Sequence, residues 1–141
     1  MSERHGLDPC CFMTTWSVTQ NKEGSKRLHM VLTQRSSDYL VAGHINKMQY
    51  TALQVLIARE VGMGLGTFTH FVNNLHIYDR HIEIARKLIR RYEEEVLHAA
   101  VKPGISFTVS RTSLEKIMPN DFVIAGYNPL SPLEEKLEIA I

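Results

Sequence analysis

Apolar and polar residues alternate in two stretches near the start of the chain, which is the period-two pattern of β-strands with one buried face. The stretches are Phe12–Gln20 and Arg27–Arg35, and the polar segment Asn21–Lys26 lies between them. Three apolar residues of the second stretch would share one face of a sheet: Leu28, Met30 and Leu32. The pattern therefore predicts an antiparallel hairpin.

Two longer stretches have the apolar spacing of amphipathic helices. The first, Asn46–Val61, stops at Gly62, and the second is Arg80–Val96. Their apolar positions are Ala52, Val55, Leu56 and Ala58 in the first, and Ile82, Ala85, Ile89 and Tyr92 in the second. Charged residues fill the remaining positions of the second stretch, which predicts one solvated helix face.

Further strands are predicted beyond the first helix. Thr67–Tyr78 is largely apolar, so we expect a buried strand, and Ile105–Ser110 and Asp121–Tyr127 are shorter candidates. The segment from Pro129 to Ile141 has no regular pattern and is predicted to be an irregular tail. Mixed strands and helices in 141 residues predict a single domain, 1–141, with one core.

The composition is that of an ordinary soluble globular domain, with 44% hydrophobic and 22% charged residues. The net charge of +1 gives no reason to expect DNA or a membrane surface as a partner. No apolar stretch approaches the ~18 residues of a membrane-spanning helix, and no signal-peptide core begins the chain. Because Cys10 and Cys11 are adjacent, they are poorly placed to bridge each other, which predicts free thiols in a reducing, cytoplasmic compartment.

Cys10 is the candidate nucleophile, since a cysteine attacks carbon as its thiolate. The predicted hairpin would bring Cys10 and Arg35 to the same open end of the two strands. A permanent cation beside the thiol would favour the thiolate and would also hold an anionic substrate. The hairpin therefore predicts a site for a negatively charged substrate next to a nucleophile.

Three other motifs are better explained by structure than by chemistry. The glycine-rich run 62–66 follows a helix rather than a strand, so it indicates a helix stop and a turn rather than a phosphate loop. The histidines His70, His76 and His81 lack acidic partners at ligand spacing, and we predict no metal site. The basic residues of segment 86–91 interleave with glutamates, which indicates a solvated helix face.

Four motifs, taken together and in order, resemble the thymidylate synthase family. They are Leu7-x-Pro9-Cys10, then Gln34-Arg35-Ser36-x-Asp38, then Asn46, then Leu75-His76-Ile77-Tyr78 with His81. The resemblance covers nearly the whole chain and corresponds to about the C-terminal half of the family's polypeptide. It implies an α+β fold with a large mixed or antiparallel bent sheet and packed helices, and a homodimer in which two such sheets pack face to face.

The resemblance also implies a reaction, the reductive methylation of dUMP to dTMP with 5,10-methylenetetrahydrofolate. Cys10 would be the catalytic nucleophile that adds to C6 of the uracil ring, which makes C5 reactive toward the one-carbon unit. Taken alone, Cys10 would be a buried structural cysteine.

The remaining site residues are also carried over from the family. The substrate-binding set is Arg35 and Ser36 for the phosphate, Asn46 for the pyrimidine edge, His76 and Tyr78 for the ribose 3′-hydroxyl, and Gln34 as a support. Asp38 would meet the pterin of the reduced folate, and the tail ending in Ile141 would close over it. Asn46 favours uracil because its amide can donate to O4 and accept from N3–H. Taken alone, Asn46 would be a helix cap and Asp38 a surface or capping residue.

Other groups that the family's active site needs belong to the upstream half of its polypeptide, and none can be assigned to residues 1–6. The chain alone is therefore expected to be slow or inactive. Two hypotheses follow: a catalytic half that needs a separate N-terminal half, or a non-catalytic remnant that binds nucleotide or pairs with an intact synthase.

Overall fold

The computed structural model describes residues 9–96, 106–109, 114–127 and 129–139. Two predicted features, Leu7 of the first motif and the terminal Ile141, lie outside them. The helices and strands are, in chain order, β1 Cys11–Gln20, β2 Lys26–Asp38, α1 His44–Glu60, β3 Gly64–His76, α2 Ile82–Arg91, β4 Ser106–Val109 and β5 Phe122–Ala125. The predicted strands and helices are all present, with bounds shifted by a few residues.

The predicted hairpin is confirmed, because β1 pairs antiparallel with β2. The turn between them is closed by the Asn21 side chain, whose Oδ1 accepts from the backbone N–H of Glu23 at 3.1 Å and of Ser25 at 2.8 Å. Gly24 has a φ of +85°, a conformation that glycine adopts without strain. The local sequence therefore accounts for the turn and for the hairpin register.

The third strand differs from β1 in direction, because β3 pairs parallel with β2. The sheet order is β1-β2-β3, and α1 forms the crossover that a parallel pair requires. The core comprises Leu28, Met30 and Leu32 of β2 with Val55 and Ala58 of α1. The predicted apolar face of the hairpin is therefore the face that α1 covers.

The buried side chain of Gln54 joins this helix to the sheet. Its Nε2 donates to the carbonyl of Leu28 at 2.9 Å and to that of Thr67 at 3.4 Å. The helix ends at Glu60, and Gly62 has a φ of +65°, as expected of a helix stop. The glycine-rich run begins with the predicted helix stop and turn, but β3 already begins at Gly64, so the second half of the run is strand and not turn.

The expectation that the third strand is buried is wrong. Along β3 no residue is fully buried, and Phe71 and Leu75 are 62% and 56% exposed. Phe71 pairs with Thr33 and alternates with the residues that face α1, so its side chain lies on the other face of the sheet. The apolar composition of the strand therefore reflects two apolar faces, of which this chain covers one.

The second helical region agrees with the predicted Arg80–Val96, although part of it is not α-helix. A 3₁₀ turn, Asp79–His81, precedes α2, and a π-helical turn, Tyr92–Val96, follows it. The charged side of the region is solvated as predicted, with ion pairs Arg86–Glu83 and Arg91–Glu95. Its apolar stripe is also exposed within the described residues, since Ile89 is 56% and Tyr92 is 50% accessible.

The last part of the chain packs beside these helices. The strands β4 and β5 form a separate antiparallel pair, and the Arg59 guanidinium of α1 donates to the carbonyl of Val109. Residues 129–139 are irregular, as predicted, and Lys87 of α2 holds Glu135 of this tail at 2.5 Å. Across the residues that the structure describes, none of the helices has the length and apolarity needed to cross a bilayer.

Candidate functional site

The candidate residues gather at one edge of the three-stranded sheet. The start of β1 lies beside the end of β2 because the two strands are antiparallel, and the end of β3 lies there because it is parallel to β2. Directly paired residues at this edge include Ser36 with Asn74 and Asp38 with His76. The parallel register therefore brings two predicted motifs together that are far apart in sequence.

The thiol of Cys10 lies beside the Arg35 guanidinium, as the hairpin predicted. The Nη2 atom of Arg35 is 3.6 Å from the Cys10 Sγ, within hydrogen-bonding range of sulfur. The backbone N–H of Arg35 also donates to the carbonyl of Cys10 at 2.8 Å, which fixes the spacing of the two residues. Both cysteines are free thiols and are half-buried. The pair can therefore present a nucleophile next to a fixed positive charge.

The neighbouring Cys11 has a different environment. Burial raises the pKa of the Cys11 thiol, a hydrogen bond with Tyr50 partly offsets this, and negative charge on Cys10 adds to the increase. Burial also raises the pKa of Tyr50. The charge on Cys11 and the hydrogen bond with Cys11 raise this pKa further. Cys11 therefore stays protonated at neutral pH and does not compete as a nucleophile. No local sequence pattern indicates the Cys11–Tyr50 contact, because it depends on the packing of α1.

A series of hydrogen bonds centred on a buried side chain lies beneath the edge of the sheet. The Gln34 side chain, 1% exposed, donates from Nε2 to the Ser36 carbonyl at 2.8 Å, and its Oε1 lies 2.7 Å from His70 Nε2. Since Oε1 can only accept, His70 donates from Nε2. Burial lowers the pKa of His70, and the positive charge of Lys47 lowers it further. The ring is therefore a neutral donor that holds Gln34, a contact that the sequence did not predict.

Asp38 ends β2, and its side chain caps the next turn. Its Oδ1 accepts from the backbone N–H of Leu40 at 3.1 Å and of Val41 at 3.3 Å, at the start of the π-helical turn Tyr39–Gly43. Its Oδ2 lies 3.9 Å from the Nδ1 of His81. The capping alternative for Asp38 is thus observed, while one carboxylate oxygen remains available for another group.

The expectation that His76 and Tyr78 alternate along one strand is wrong, because β3 ends at His76. The two rings still meet, edge to face, with centroids 5.2 Å apart. The Arg80 guanidinium lies over the Tyr78 ring at 4.7 Å from its centroid, and the His81 ring is edge-on to Tyr78 at 6.1 Å. Tyr78 is therefore held by aromatic contacts in place of strand geometry.

Asn46 lies in the first turn of α1 and is half-buried. The residue at the N-cap of α1 is Gly43, so the alternative reading of Asn46 as the helix cap is wrong. Within the described part of the chain, the structure shows no hydrogen bond between Asn46 and another candidate residue. Nor do the described residues include a group of three or more His, Cys, Asp or Glu side chains placed to hold a metal ion.

A cavity of about 440 Å³ lies between the turn after Asp38, the two helices and the tail. Its lining is mainly apolar: Tyr39, Leu40, His44, Lys47, Ile84, Leu88, Leu133, Glu135 and Leu137. The ammonium group of Lys47 also lies 4.9 Å from the centroid of the Tyr39 ring. An apolar lining with a few charged groups at its margin is typical of small-molecule sites.

Comparisons with known proteins all return the same family name. A family model described as thymidylate synthase matches residues 1–139. The thymidylate synthase of Lactococcus lactis subsp. cremoris (strain SK11) is 42% identical over 140 residues, and that of Streptococcus suis (strain 05ZYH33) is 44% identical over 137 residues. These alignments cover 99% and 96% of this chain but 48% and 47% of the relatives, so the chain spans about half the length of the curated relatives it matches.

The fold is similar to that of a solved structure, the thermostable thymidylate synthase A from Bacillus subtilis. The TM-score is 0.74 at 24% sequence identity, with 93% of this chain and 43% of that chain covered. The likeness extends the α+β assignment, with its mixed sheet, to nearly the whole chain.

Proposed function

This chain belongs to the thymidylate synthase family, and from that premise we propose that residues 1–141 form a single domain carrying the nucleophile half of a dUMP-methylating active site. The observation that carries the proposal is the contact at 3.6 Å between Arg35 Nη2 and Cys10 Sγ. A thiolate held by a guanidinium is the arrangement that nucleophilic attack beside an anionic substrate requires.

In the proposed reaction, Cys10 Sγ forms a bond to C6 of the uracil ring, and the electron pair of the C5–C6 double bond moves to C5 and the adjacent carbonyl. The resulting carbon nucleophile at C5 attacks the one-carbon unit. Methylenetetrahydrofolate supplies that unit and the hydride that reduces it to a methyl group. Removal of the C5 proton breaks the bond between the one-carbon unit and the folate nitrogen and leaves an exocyclic methylene group on the ring. The folate then transfers its hydride to that methylene, the C5–C6 double bond re-forms, and the Cys10 thiolate leaves, which gives dTMP and dihydrofolate.

The proposed nucleotide contacts lie at the same sheet edge as the thiol. Arg35 and Ser36 bind the phosphate, where a cation and a hydroxyl suit its oxygens. Asn46 reads the uracil edge, and His76 with Tyr78 binds the ribose 3′-hydroxyl. Gln34 supports this strand end through its bonds to Ser36 and His70, which hold the backbone of β2 in place.

The reduced folate is proposed to occupy the cavity beside Asp38. Asp38 Oδ2 faces a polar group of the pterin, and the apolar lining from Leu40 to Leu137 covers its rings. The tail ending in Ile141 closes over the folate and excludes water. The ion pair between Lys87 and Glu135 supports this part of the proposal, because it already holds the tail against α2.

The rest of the site is proposed to come from a separate N-terminal half, since the relatives are about twice as long as this chain. The working protein is proposed to be a homodimer in a reducing, cytoplasmic compartment. The uncovered face of the sheet, with Met13, Val31 and Phe71 exposed by 46%, 37% and 62%, supports a second copy packing there.

The test is to incubate the chain, with and without a polypeptide matching the relatives' N-terminal half, with 5-fluoro-dUMP and methylenetetrahydrofolate. Mass spectrometry should then find a covalent adduct on the peptide that contains Cys10. Cys10→Ser should abolish the adduct, whereas the matched control Cys11→Ser should retain it. The absence of an adduct in the presence of both halves would contradict the catalytic proposal. Nucleotide binding without an adduct would then identify a non-catalytic nucleotide-binding protein.

A further inference from the structure

His81 is a buried titratable side chain to which the proposed chemistry assigns no role. It is 2% exposed and lies in the 3₁₀ turn that leads into α2. Neither Nδ1 nor Nε2 has a hydrogen-bonding partner among the described residues. Burial of a polar group without a partner is costly, and most such groups in folded proteins are satisfied. A polar atom near the ring that has free hydrogen-bonding capacity is therefore the group on which His81 can act.

A carboxylate oxygen, the second oxygen of Asp38, lies 3.9 Å from Nδ1 of the ring. Oδ1 of this carboxylate is already engaged by the N–H groups of Leu40 and Val41, whereas Oδ2 faces His81 Nδ1 at 3.9 Å. The ring plane of His81 is set by the edge-on contact with Tyr78. The geometry therefore leaves Nδ1 as the atom through which His81 can act on the carboxylate.

We propose that His81 is a positioning residue, which donates from Nδ1 toward Asp38 Oδ2 and so sets the orientation in which the carboxylate receives the folate. The proposal rests on the proposed function, since it assumes that Asp38 meets the pterin. His81 stands at the end of a row of contacts, from His76 to Tyr78 to His81 to Asp38, that joins the nucleotide side of the edge to the folate side. Its loss should therefore weaken folate binding and leave nucleotide binding unchanged.

A packing role would need only the shape of the ring, so the variants must separate shape from donor position. His81→Asn retains a donor at about the position of Nδ1, and His81→Gln places it at about that of Nε2. His81→Phe keeps a ring against Tyr78 and removes both nitrogens. The proposal predicts that the Asn variant behaves as the wild type and that the Gln and Phe variants do not.

The first measurement is amide hydrogen exchange at Leu40 and Val41, which donate to Asp38 Oδ1, in the chain without ligands. Exchange should be at least about tenfold faster in His81→Gln and His81→Phe, as expected when the carboxylate that accepts from these N–H groups is no longer held in position, and within about twofold of wild type in His81→Asn. Exchange at Leu32 in the core should be equal in all four proteins, which shows that the fold is intact. Equal exchange at Leu40 and Val41 in all variants would overturn the proposal.

The second measurement is the concentration of methylenetetrahydrofolate that gives half-maximal adduct, with both halves present and 5-fluoro-dUMP saturating. This concentration should rise at least about tenfold for the Gln and Phe variants and stay near wild type for the Asn variant. The dependence on 5-fluoro-dUMP should not change. A parallel loss of nucleotide and folate affinity would indicate a packing role and would overturn the proposal. Failure of the wild type to form any adduct would overturn the proposed function alone, because the exchange measurement needs no folate.

Discussion

Cys10 and Cys11 are adjacent in sequence and are held in different chemical surroundings. Cys10 faces the guanidinium of Arg35, while Cys11 contacts the phenol of Tyr50 and has a raised pKa because of burial. Neighbouring residues at the start of a strand point to different sides, so Cys10 meets the guanidinium while Cys11 meets the phenol. The side-chain direction thus decides which of the two thiols lies beside the cation.

His70 provides a prediction of pH dependence, because its pKa is lowered first by burial and second by Lys47. Lys47→Gln removes the second cause, so the pKa of His70 should rise part of the way toward its usual value. NMR titration of the His70 ring should show this, and the control Lys22→Gln, in the exposed hairpin turn, should leave it unchanged. An unchanged midpoint in Lys47→Gln would show that Lys47 does not act on the ring.

The same shift has a consequence for stability. Since the folded-state pKa of His70 is depressed, the unfolded chain takes up the proton first as the pH falls. The contribution of neutral His70 is therefore present above the unfolded-state pKa and is lost as the pH falls through the folded-state pKa. In Lys47→Gln the difference between the two states is smaller, so the free energy of unfolding should depend less on pH in that window.

Residue contacts that follow from the hairpin could be predicted from the sequence, and contacts across elements could not. Cys10 and Arg35 meet because two strands of similar length are joined by a short turn, which a local pattern reveals. The contacts of Tyr50 with Cys11 and of His81 with Asp38 join residues from different elements. Their partners are set by the angle and register at which helices pack on the sheet, and no local pattern encodes these.

At the scale of elements, Gly66 is a close-packing point between two strands. A Cβ added there would lie 2.7 Å from the His29 ring, which is held by Thr19 Oγ1 at 2.8 Å and by the Thr67 N–H at 2.9 Å. Because the ring cannot move without breaking one of these bonds, Gly66→Ala should lower the free energy of unfolding by about 1–3 kcal/mol. Chemical denaturation with tryptophan fluorescence would measure this.

The matched control is Gly64→Ala in the same strand. The added Cβ would meet the Lys26 carbonyl at 3.5 Å, an ordinary contact, so the change should stay within about 0.5 kcal/mol. Removing the imidazole ring in the double variant Gly66→Ala/His29→Ala should recover part of the lost free energy of unfolding. Equal effects of the two single substitutions would show that the His29 ring yields freely.

The third strand marks the limit of pattern reading at this scale. Its apolar residues were correctly read as a strand, because Thr67–Tyr78 has the composition and length of one. Its burial was predicted wrongly, because apolar residues on both faces do not show which partner covers each face. That partner is α1 on one side, while Phe71 on the other side is 62% exposed.

At the scale of the whole molecule, the uncovered face of the sheet predicts self-association. Phe71→Asp would place a charge on that face, where burial without a partner is costly. Sedimentation velocity should show a dimer dissociation constant raised at least about tenfold relative to the wild type. The control Ile89→Asp, on the exposed stripe of α2, should leave the dimer intact. A monomeric wild type, or equal effects of both substitutions, would contradict the proposed dimer face.

The overall architecture was predictable because the family motifs occur in order with compatible spacing, from Pro9 to His81. The mixed sheet direction was not readable from apolar spacing, which is the same for parallel and antiparallel strands. What fixes it is the crossover through α1, which turns the chain so that β3 runs alongside β2. Nor does a local pattern show which surfaces of this chain stay exposed, because it does not show what packs on them. The relatives are about twice as long as this chain.

That crossover also determines the order in which the candidate site forms as the chain folds. A hairpin with a short turn closes in about 1–10 μs, whereas a parallel pair separated by a helix depends on non-local contacts and forms later. Synthesis adds about 5–20 residues per second, so the hairpin can close while β3 is still on the ribosome. Cys10 and Arg35 are therefore the first residues of the candidate site that can meet, whereas the pairing of Asp38 with His76 waits until β3 has docked on β2.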